Sequence, residues 1–323
     1  MESLFPIEIN FTLFFQALGD WLRTPFQLIT SLGNEEFYIL FMPLFYWCLS
    51  PIMGIRAGVM LIVSGGIKDF LKVIIHTPRP YWVDTRVKAF SSETSFGMPS
   101  GHSMDAASIW GAIAVSQKRR WVTWIALLLI FLIGISRIYL GVHFLHDVLA
   151  GWLVGGLILW GYLSIEKKMA AWITAKRLPV QILLAFTLSL ALIGLGLLAR
   201  ALVSGWQMPQ EWISNALAAS DVAPDPFNFE GVITLAAVAF GFLAGLAWWV
   251  NKYGFPKIET KGLRLIVRYL LGMAGLAILY LGLKLILPEE PEILGLALRF
   301  VRYSLVGFWV TAGAPMIFRK LKI

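Results

Sequence analysis

Three short stretches of this sequence contain side chains whose types and spacing could do chemistry together. They are Lys72-Val-Ile-Ile-His-Thr-Pro-Arg79-Pro80, then Pro99-Ser100-Gly101-His102, and then Ser136-Arg137-Ile-Tyr-Leu-Gly-Val-His143-Phe-Leu-His146-Asp147. Guanidinium forks match the oxygens of a phosphate, and an ammonium group adds a point charge. Without a counter-ion, Lys72, Arg79 and Arg137 would repel one another and lose hydration. These three cations therefore predict an anion site whose natural guest is a phosphoryl group.

The second and third stretches add a helix end and a pair of histidines. At the start of a helix, free N–H groups and the positive end of the dipole attract anions around Ser100 and Gly101, and Ser100 is also suited to cap that helix. His143 and Asp147 are four residues apart, so on a helix the carboxylate reaches the imidazole and fixes its tautomer. The other ring nitrogen then suits a nucleophile or a base. His102, on a different helix, is available to protonate a leaving oxygen.

The elements that must position these groups are membrane helices. Of the 323 residues, 58% are hydrophobic and only 14% are charged, and the mean hydropathy is +0.74, which excludes an ordinary soluble protein and a disordered chain. The single cysteine, Cys48, excludes an intrachain disulfide and a thiolate metal cluster. From the long apolar runs we predict an all-α, polytopic transmembrane bundle. Its roughly nine spans lie near residues 37–53, 57–75, 101–116, 121–136, 144–164, 180–200, 231–250, 264–286 and 296–317.

The charges between the spans predict the orientation of the chain. In membrane proteins, Lys and Arg concentrate in the loops that stay on the cytoplasmic side. In this chain, every second loop contains most of them, and we assign the side of these loops as cytoplasmic. Acidic residues collect on the other face, and they include Glu93, Glu211 and Glu230. We therefore expect the N-terminus outside, the C-terminus in the cytoplasm and all three stretches at the outer surface. Because cytoplasmic loops explain the net charge of +8, no nucleic-acid partner is expected.

The chain divides into three predicted domains. They are an outer interfacial segment at 1–36, a core with the three stretches at 37–163, and additional transmembrane helices at 164–323. Residues 11–33 are apolar but include Asp20 and Arg23, which are costly in hydrocarbon. We expect this stretch to lie in the interface, and an irregular tenth span is the alternative. The outer loop 201–230 contains three prolines and is the expected boundary between mobile and packed parts.

The three stretches follow the patterns K-x6-R-P, P-S-G-H and S-R-x5-H-x3-D, within roughly residues 57–163. In this order and spacing they resemble the signature motifs of the type-2 phosphatidic acid phosphatase superfamily, which includes glucose-6-phosphatase, the sphingosine-phosphate phosphatases and vanadium haloperoxidases. The resemblance implies that His143 attacks phosphorus and forms a phosphohistidine, that Asp147 orients His143, and that His102 protonates the leaving alcohol. It also implies that the phosphoryl oxygens are held by Lys72, Arg79, Ser100, Gly101 and Arg137.

The layout of the chain is similar to that of glucose-6-phosphatase and the sphingosine-phosphate phosphatases, because about four spans follow the third motif. Tyr81-Trp82 also resembles the region after the first motif in glucose-6-phosphatase. The resemblance implies a phosphoric monoester hydrolase that cleaves a phosphomonoester or pyrophosphate of a lipid at the outer membrane surface, without metal or cofactor. A sugar-phosphate phosphatase, a phosphotransferase and a lipid transport protein that retains the phosphate site stay open as alternatives.

The expected partners are a phosphorylated lipid and the membrane, and the expected location is the cytoplasmic membrane with the site on its non-cytoplasmic side. The sequence leaves the oligomeric state open. His76 and His146 are expected to be loop or interface residues. Lys68 is expected either to extend the positive face or to pair with Asp69 or Asp105. Asp105 is also a candidate to tune His102, which it follows by one helical turn.

Overall fold

The protein is all-helical in the computed structural model, which describes residues 4–288 and 292–323. Within these described ranges there is no strand, which confirms the predicted all-α class. The helices are α1 (Phe5–Ala17), α2 (Arg23–Ser31), α3 (Glu35–Leu44), α4 (Pro51–Ile75), α5 (Pro80–Val83), α6 (Gly101–Gln117), α7 (Arg120–Tyr139), α8 (Leu145–Thr174), α9 (Leu178–Leu202), α10 (Gln210–Ser220), α11 (Glu230–Tyr253), α12 (Leu263–Ala277), α13 (Leu283–Ile286), α14 (Glu292–Phe308) and α15 (Ala314–Leu321).

Several of these helices are long and apolar enough to cross a membrane. The described part of the chain contains six such segments, which are Arg120–Tyr139, Leu145–Thr174, Leu178–Leu202, Glu230–Tyr253, Leu263–Ile286 and Ile293–Leu321. The protein is therefore a multi-pass membrane protein, as expected. Among the other predicted spans, α6 has only 17 residues and α3 contains Pro43. The total of nine spans and the orientation of the termini stay predictions.

The N-terminal stretch forms two short helices. α1 has 13 residues and α2 has 9, and a 3₁₀ turn at Asp20–Leu22 separates them. Gly19 precedes this turn with a φ of 115°, a conformation that glycine adopts without a steric penalty. Because a span needs roughly 20 residues, neither helix is long enough to cross a bilayer by itself, and the irregular tenth span stays an alternative. The interfacial location of this stretch stays a prediction.

The described residues pack into two compact units that alternate along the chain. The first unit comprises the described residues up to Tyr38, Val63–Trp160 and Leu197–Asn228. The second unit comprises Ile39–Ile62, Gly161–Gly196 and the described residues of Phe229–Ile323. All residues of the three motifs belong to the first unit. These units divide the chain differently from the three predicted domains. Segment 197–228 comes later in the chain than the motifs, but it packs in the same unit as they do.

Small residues bring α8 close to α6 in the first unit. A Cβ added at Gly151 would lie 2.6 Å from the carbonyl oxygen of Ser100, and one added at Gly155 would lie 2.9 Å from the Cβ of Ala107. Glycines four residues apart share one helix face and let two backbones approach. In addition, the N–H of Ser100 donates to the carbonyl oxygen of Asp147 at 2.9 Å. The second motif is thereby held against the third.

A buried aromatic cluster closes around the first motif in the same unit. Trp82 and Phe96 are fully buried within it. From α10, the ring of Trp212 lies 6.4 Å from that of Trp82, and the side chain of Asn215 donates to the Trp82 carbonyl at 3.0 Å. The outer segment 201–230 was expected as a boundary between mobile and packed parts. It instead contributes a helix to the core, because α10 has aromatic partners on α5.

Contacts among other helices hold the second unit. The indole Nε1 of Trp47 donates to the carbonyl of Val310 at 2.8 Å, and Ser189 Oγ donates to the carbonyl of Ala236 at 2.7 Å. Arg56 and Glu166 form a partly buried ion pair with an Nε–Oε1 distance of 2.7 Å. These contacts use none of the motif residues, so this unit is built independently of the motif chemistry.

The close approach of α6 and α8 leads to a prediction about stability. We expect Gly155→Ala to lower the thermal midpoint of the purified protein, because the added methyl group meets the backbone of α6 and overpacking costs about 1–3 kcal/mol. Gly156→Ala is the matched control, since a Cβ there has nothing within 4 Å. Equal midpoints for the two variants in one detergent would contradict the close packing.

Candidate active site

A cavity of ≈ 400 Å³ lies in the first unit. Its wall includes six of the eight residues that the motifs predicted, namely Lys72, Arg79, Gly101, His102, Arg137 and His143. The other two, Ser100 and Asp147, are fully buried just behind the wall. Ser100 precedes Gly101 in the chain, and Asp147 contacts the His143 ring. The fold therefore brings all three motifs together at one place, although they come from separate helices and loops.

His143 is held between a carboxylate and a guanidinium. Its Nδ1–H donates to Oδ2 of Asp147 at 3.2 Å, and its Nε2 accepts from Nη1 of Arg79 at 3.2 Å. Oδ2 of Asp147 also accepts the N–H of Phe144 at 2.9 Å. In the tautomer that this carboxylate selects, the lone pair is on Nε2. This is the nitrogen that a nucleophilic imidazole would use.

Burial and positive charge keep His143 neutral. Burial lowers the pKa of the His143 imidazole well below its ordinary value, and the charges of Arg79, Lys72 and Arg137 lower it further. A neutral imidazole is the form that has a lone pair to offer to an electrophile. The site therefore combines a neutral imidazole with cations that can hold an anionic group beside it.

His102 lies in the first turn of α6 and faces the same cavity. Its Nε2–H donates to Oδ1 of Asn34 at 2.8 Å. An amide that holds one ring nitrogen fixes the ring while the other nitrogen can exchange a proton. Asn34 follows α2, and no motif pointed to it. No spacing in the sequence relates this residue to the histidine that it orients.

Ser100 and Gly101 form the N-terminal end of α6. Ser100 is the helix cap, because its Oγ accepts from the N–H of Ser103 at 3.4 Å and from the Ser103 hydroxyl at 3.0 Å. At Gly101, a Cβ would lie 2.7 Å from Cδ of Lys68, so a larger residue would have to displace the Lys68 side chain. Because Ser100 Oγ accepts in both contacts, its own proton stays available to donate, and the N–H groups of the first turn are further donors for an anion at this end.

The loop before α6 fixes two of the three cations. Nζ of Lys72 donates to Oγ of Ser95 at 3.1 Å and to the carbonyl of Phe96 at 2.5 Å. Arg79 donates from Nε to the carbonyl of Ser95 at 2.7 Å and from Nη1 to the carbonyl of Val142 at 2.8 Å. Both cationic side chains are buried. Neutral oxygens orient these two cations without neutralising their charge.

Glu93 supplies a negative charge to the cations. Its carboxylate forms an ion pair with Arg137 and lies 3.9 Å from Nη2 of Arg79. Burial raises the pKa of the Glu93 carboxyl, but the charges of Arg137 and Arg79 outweigh this effect and hold the pKa well below its ordinary value. The sequence analysis placed Glu93 only among the acidic residues of one face. Part of the anion site that the three cations predict is therefore occupied by a carboxylate of the chain itself.

Lys68 and Asp105 form the pair that was one of their predicted alternatives. Nζ of Lys68 lies 3.2 Å from Oδ2 of Asp105, and the hydroxyl of Ser64 donates to the other oxygen of the same carboxylate. The hydrogen-bond partner of His102 is Asn34 and not Asp105. Asp105 therefore holds the side chain of Lys68 in place, and both residues line the cavity.

The two remaining histidines, His76 and His146, lie outside the wall of the cavity. The side chain of His76 donates to the carbonyl of Ile74 at 2.8 Å and does not line the cavity, whereas His146 contacts Asp147. In the described part of the chain, no three His, Cys, Asp or Glu side chains are grouped as metal ligands. The arrangement of a neutral imidazole, three cations and a second histidine suits the transfer of a phosphoryl group to nitrogen.

Two superfamily profiles match the chain. The PAP2 superfamily matches residues 54–171, which include all three motifs. A second profile, the transmembrane extension of PAP2 superfamily phosphatases, matches residues 233–323. PAP2 denotes the type-2 phosphatidic acid phosphatases, whose motifs the sequence resembles. The two matches together cover the site and most of the helices of the second unit.

Individual proteins also match. Sphingosine-1-phosphate phosphatase 1 of Mus musculus is 36% identical over 140 residues, which are 42% of this chain and 33% of that protein. Phosphatidylglycerophosphatase B of Bacillus subtilis (strain 168) is 30% identical over 164 residues, which are 46% of this chain and 77% of that protein. The crystal structure of a transmembrane PAP2 type phosphatidylglycerolphosphate phosphatase from Bacillus subtilis is 27% identical with a TM-score of 0.46, and the match covers 52% of this chain and 88% of that chain. The chain thus spans about a third of the length of the mouse protein.

The ion pair of Glu93 leads to a prediction about anion affinity. We expect Glu93→Gln to bind inorganic phosphate about 10-fold more tightly, because phosphate no longer competes with a carboxylate for Arg137 and Arg79. Isothermal titration calorimetry with phosphate on the purified protein measures this change. Glu166→Gln, in the second unit, is the control. Weaker phosphate binding in Glu93→Gln would show that the carboxylate positions Arg137 for the anion.

The environment of His143 leads to a prediction about its titration. Because its pKa is lowered, His143 stays neutral as the pH falls through 6.5, where an ordinary histidine becomes half protonated. The chain has only four histidines, so NMR of ring-labelled protein can assign each resonance with single histidine variants. A midpoint for His143 at or above pH 6.5 would contradict the cationic, buried environment described above.

Proposed function

Because this chain belongs to the PAP2 superfamily, we propose that it is a metal-independent membrane phosphatase that hydrolyses a phosphomonoester or pyrophosphate of a lipid. The observation that supports this most directly is the His143 ring, with Nδ1 on the Asp147 carboxylate and Nε2 beside the guanidinium of Arg79 at the cavity wall. In the proposed reaction, the phosphoryl group passes first to His143 and then to water.

In the first step, Nε2 of His143 attacks phosphorus, and an N–P bond forms as the P–O bond to the lipid alcohol breaks. The cations Lys72, Arg79 and Arg137 hold the non-bridging oxygens and offset the charge that develops on them. His102, which takes up a proton once the anionic phosphoryl group is bound among the cations, gives this proton to the departing oxygen, so the alcohol leaves as a neutral molecule. The products of this step are the lipid alcohol and a phosphohistidine.

In the second step, water attacks the phosphorus of the phosphohistidine. His102, now neutral, takes a proton from the water, and the N–P bond breaks. Inorganic phosphate leaves, His143 recovers its neutral ring and His102 is protonated again. Asp147 keeps its hydrogen bond to Nδ1 throughout, so it stabilises the positive charge that the ring carries while it is phosphorylated.

A metal-independent reaction is supported by the charges around the cavity. Lys72, Arg79 and Arg137 would repel a divalent cation and can themselves hold the phosphoryl oxygens. Three carboxylates line the cavity. Those of Glu93 and Asp105 are paired with Arg137 and Lys68, and that of Asp69 interacts electrostatically with Arg200. Protein cations therefore take the role that metal ions have in many other phosphatases.

A lipid substrate is supported by the membrane character of the chain and by its relatives. Six helical segments are candidate spans, so a lipid could present its head group to the cavity while its tail stays among the helices. The names of two relatives refer to lipid phosphates, sphingosine-1-phosphate and phosphatidylglycerophosphate. The distribution of Lys and Arg between the loops supports a site on the non-cytoplasmic side of the membrane.

The test is the release of inorganic phosphate by the full chain, purified in detergent and assayed with EDTA. The substrates are phosphatidate, sphingosine 1-phosphate, a polyprenyl diphosphate, phosphatidylglycerophosphate and glucose 6-phosphate. We expect release from at least one lipid, inhibition by vanadate, and a loss of about 10³-fold or more in His143→Ala. Release from glucose 6-phosphate alone would favour a sugar-phosphate phosphatase. No release from any substrate would favour the phosphotransferase or transport alternatives, and loss of activity with EDTA would contradict the metal-independent reaction.

The proposed role of His102 gives a further prediction. His102→Ala should lower kcat for an alkyl phosphate by about 10²–10⁴-fold, because the alcohol then leaves without a proton. The loss should be much smaller for p-nitrophenyl phosphate, whose phenolate leaves readily without protonation. His143→Ala is the comparison, since loss of the nucleophile abolishes turnover of both substrates. An equal loss for the two substrates in His102→Ala would contradict its role as the acid.

A further inference from the structure

The imidazole of His146 contacts the Asp147 carboxylate that holds His143. Oδ1 of Asp147 is buried, and among the described residues it has no hydrogen-bond partner. The same holds for Nε2 of His146, and these two atoms lie 3.2 Å apart. At the other side of the ring, Nδ1 of His146 contacts the carboxylate of Glu8. Glu8, His146, Asp147 and His143 therefore form one continuous chain of polar contacts that ends at the cavity.

Burial and aromatic stacking hold this chain in place. The side chain of His146 is 17% exposed, that of Glu8 is 12% exposed, and that of Asp147 is fully buried. The His146 ring stacks on Phe144 with a centroid distance of 5.4 Å and an interplanar angle of 12°, and Phe144 stacks on Phe5 at 4.9 Å and 6°. The stack fixes the plane of the imidazole, with Nδ1 against the carboxylate of Glu8 and Nε2 3.2 Å from Oδ1 of Asp147.

The two carboxylates define what His146 can do. An imidazole with a carboxylate at each nitrogen offers a donor to both only when both nitrogens carry protons. The resulting imidazolium draws one oxygen of Asp147 toward itself. The other oxygen of Asp147 then stays on Nδ1 of His143. Glu8 balances the added charge and holds the His146 ring from its far side.

We propose that His146 and Glu8 are positioning residues for the phosphoryl transfer, which hold the Asp147 carboxylate in the orientation that presents Oδ2 to His143. This inference rests on the proposed function, because it assigns a role in the reaction of His143. Neither residue lines the cavity. They therefore act on the chemical step through Asp147 and have no direct effect on the binding of the phosphoryl group.

A merely structural role is the competing explanation. Oε1 of Glu8 also accepts the backbone N–H of His146 at 3.1 Å, in the first turn of α8. Such a contact satisfies a free donor at a helix start and stabilises the helix. A structural role would change the thermal midpoint or the yield of folded protein. It would leave the turnover of each folded molecule unchanged.

Two single variants separate these roles. His146→Phe keeps an aromatic ring in the stack and removes both nitrogens, whereas Glu8→Gln keeps the size of the side chain and removes its charge. The matched control is Glu166→Gln. It removes the charge of a carboxylate of similar burial, 20% exposed, that is paired with Arg56 in the second unit. All variants are assayed as full-length, monodisperse protein in one detergent, with a lipid substrate that the wild type hydrolyses.

We expect kcat to fall about 10-fold or more in His146→Phe and in Glu8→Gln, as is typical when outer partners of a reactive group are removed. KM and the inhibition constant of inorganic phosphate should stay within about twofold, because the cations of the cavity are untouched. The double variant should be no slower than His146→Phe, since Glu8 acts through His146. Glu166→Gln should keep the kcat of the wild type.

Three outcomes would overturn the inference. An unchanged kcat in both single variants would refute it and leave the proposed function standing. A fall in kcat that comes with an equal change in KM, or that also occurs in Glu166→Gln, would identify a structural role. If the wild type releases no phosphate from any substrate, the proposed function fails, and the positioning role fails with it.

Discussion

The arrangement of this protein depends on keeping three buried cations together around one cavity. A charge in apolar surroundings costs several kcal/mol unless other groups compensate it. Oxygens of the loop before α6 orient Lys72 and Arg79, and the carboxylate of Glu93 neutralises part of the positive charge at Arg137. A guest must compete with that carboxylate. An anion with several negatively charged oxygens, such as a phosphoryl group, can engage more of the cations at once than a carboxylate does.

The same positive charge determines the chemistry of the histidines. Because the cations and burial keep the His143 ring neutral, its lone pair is available at neutral pH. Asp147 holds this ring from behind, and its backbone carbonyl accepts from the N–H of Ser100. That second contact depends on the close approach of α6 and α8, which Gly151 makes possible. Helix packing by small residues and the geometry of His143 are therefore parts of one constraint.

Short-range patterns explain which features could be predicted from the sequence. Long apolar runs are local, so the helical membrane class was predictable, and the spacing of four residues between His143 and Asp147 was enough to predict their contact. The partners of the other groups follow no such pattern. Asn34 and His102 are 68 residues apart, and their contact depends on how the N-terminal helices fold back on α6. The packing of α10 on the aromatic core was missed for the same reason, because its partners lie on α5.

The sequence by itself determined that this protein is a bundle of membrane helices with a set of cations and histidines suited to phosphoryl transfer. These properties depend on composition and on fixed spacings along the chain, which need no knowledge of the packing. Only the tertiary structure decided that Glu93 neutralises the cations, that Asn34 holds His102, and that Glu8 and His146 continue the chain of contacts behind Asp147. Most of these contacts join residues far apart in the sequence, so their existence depends on which helix faces meet when the chain folds.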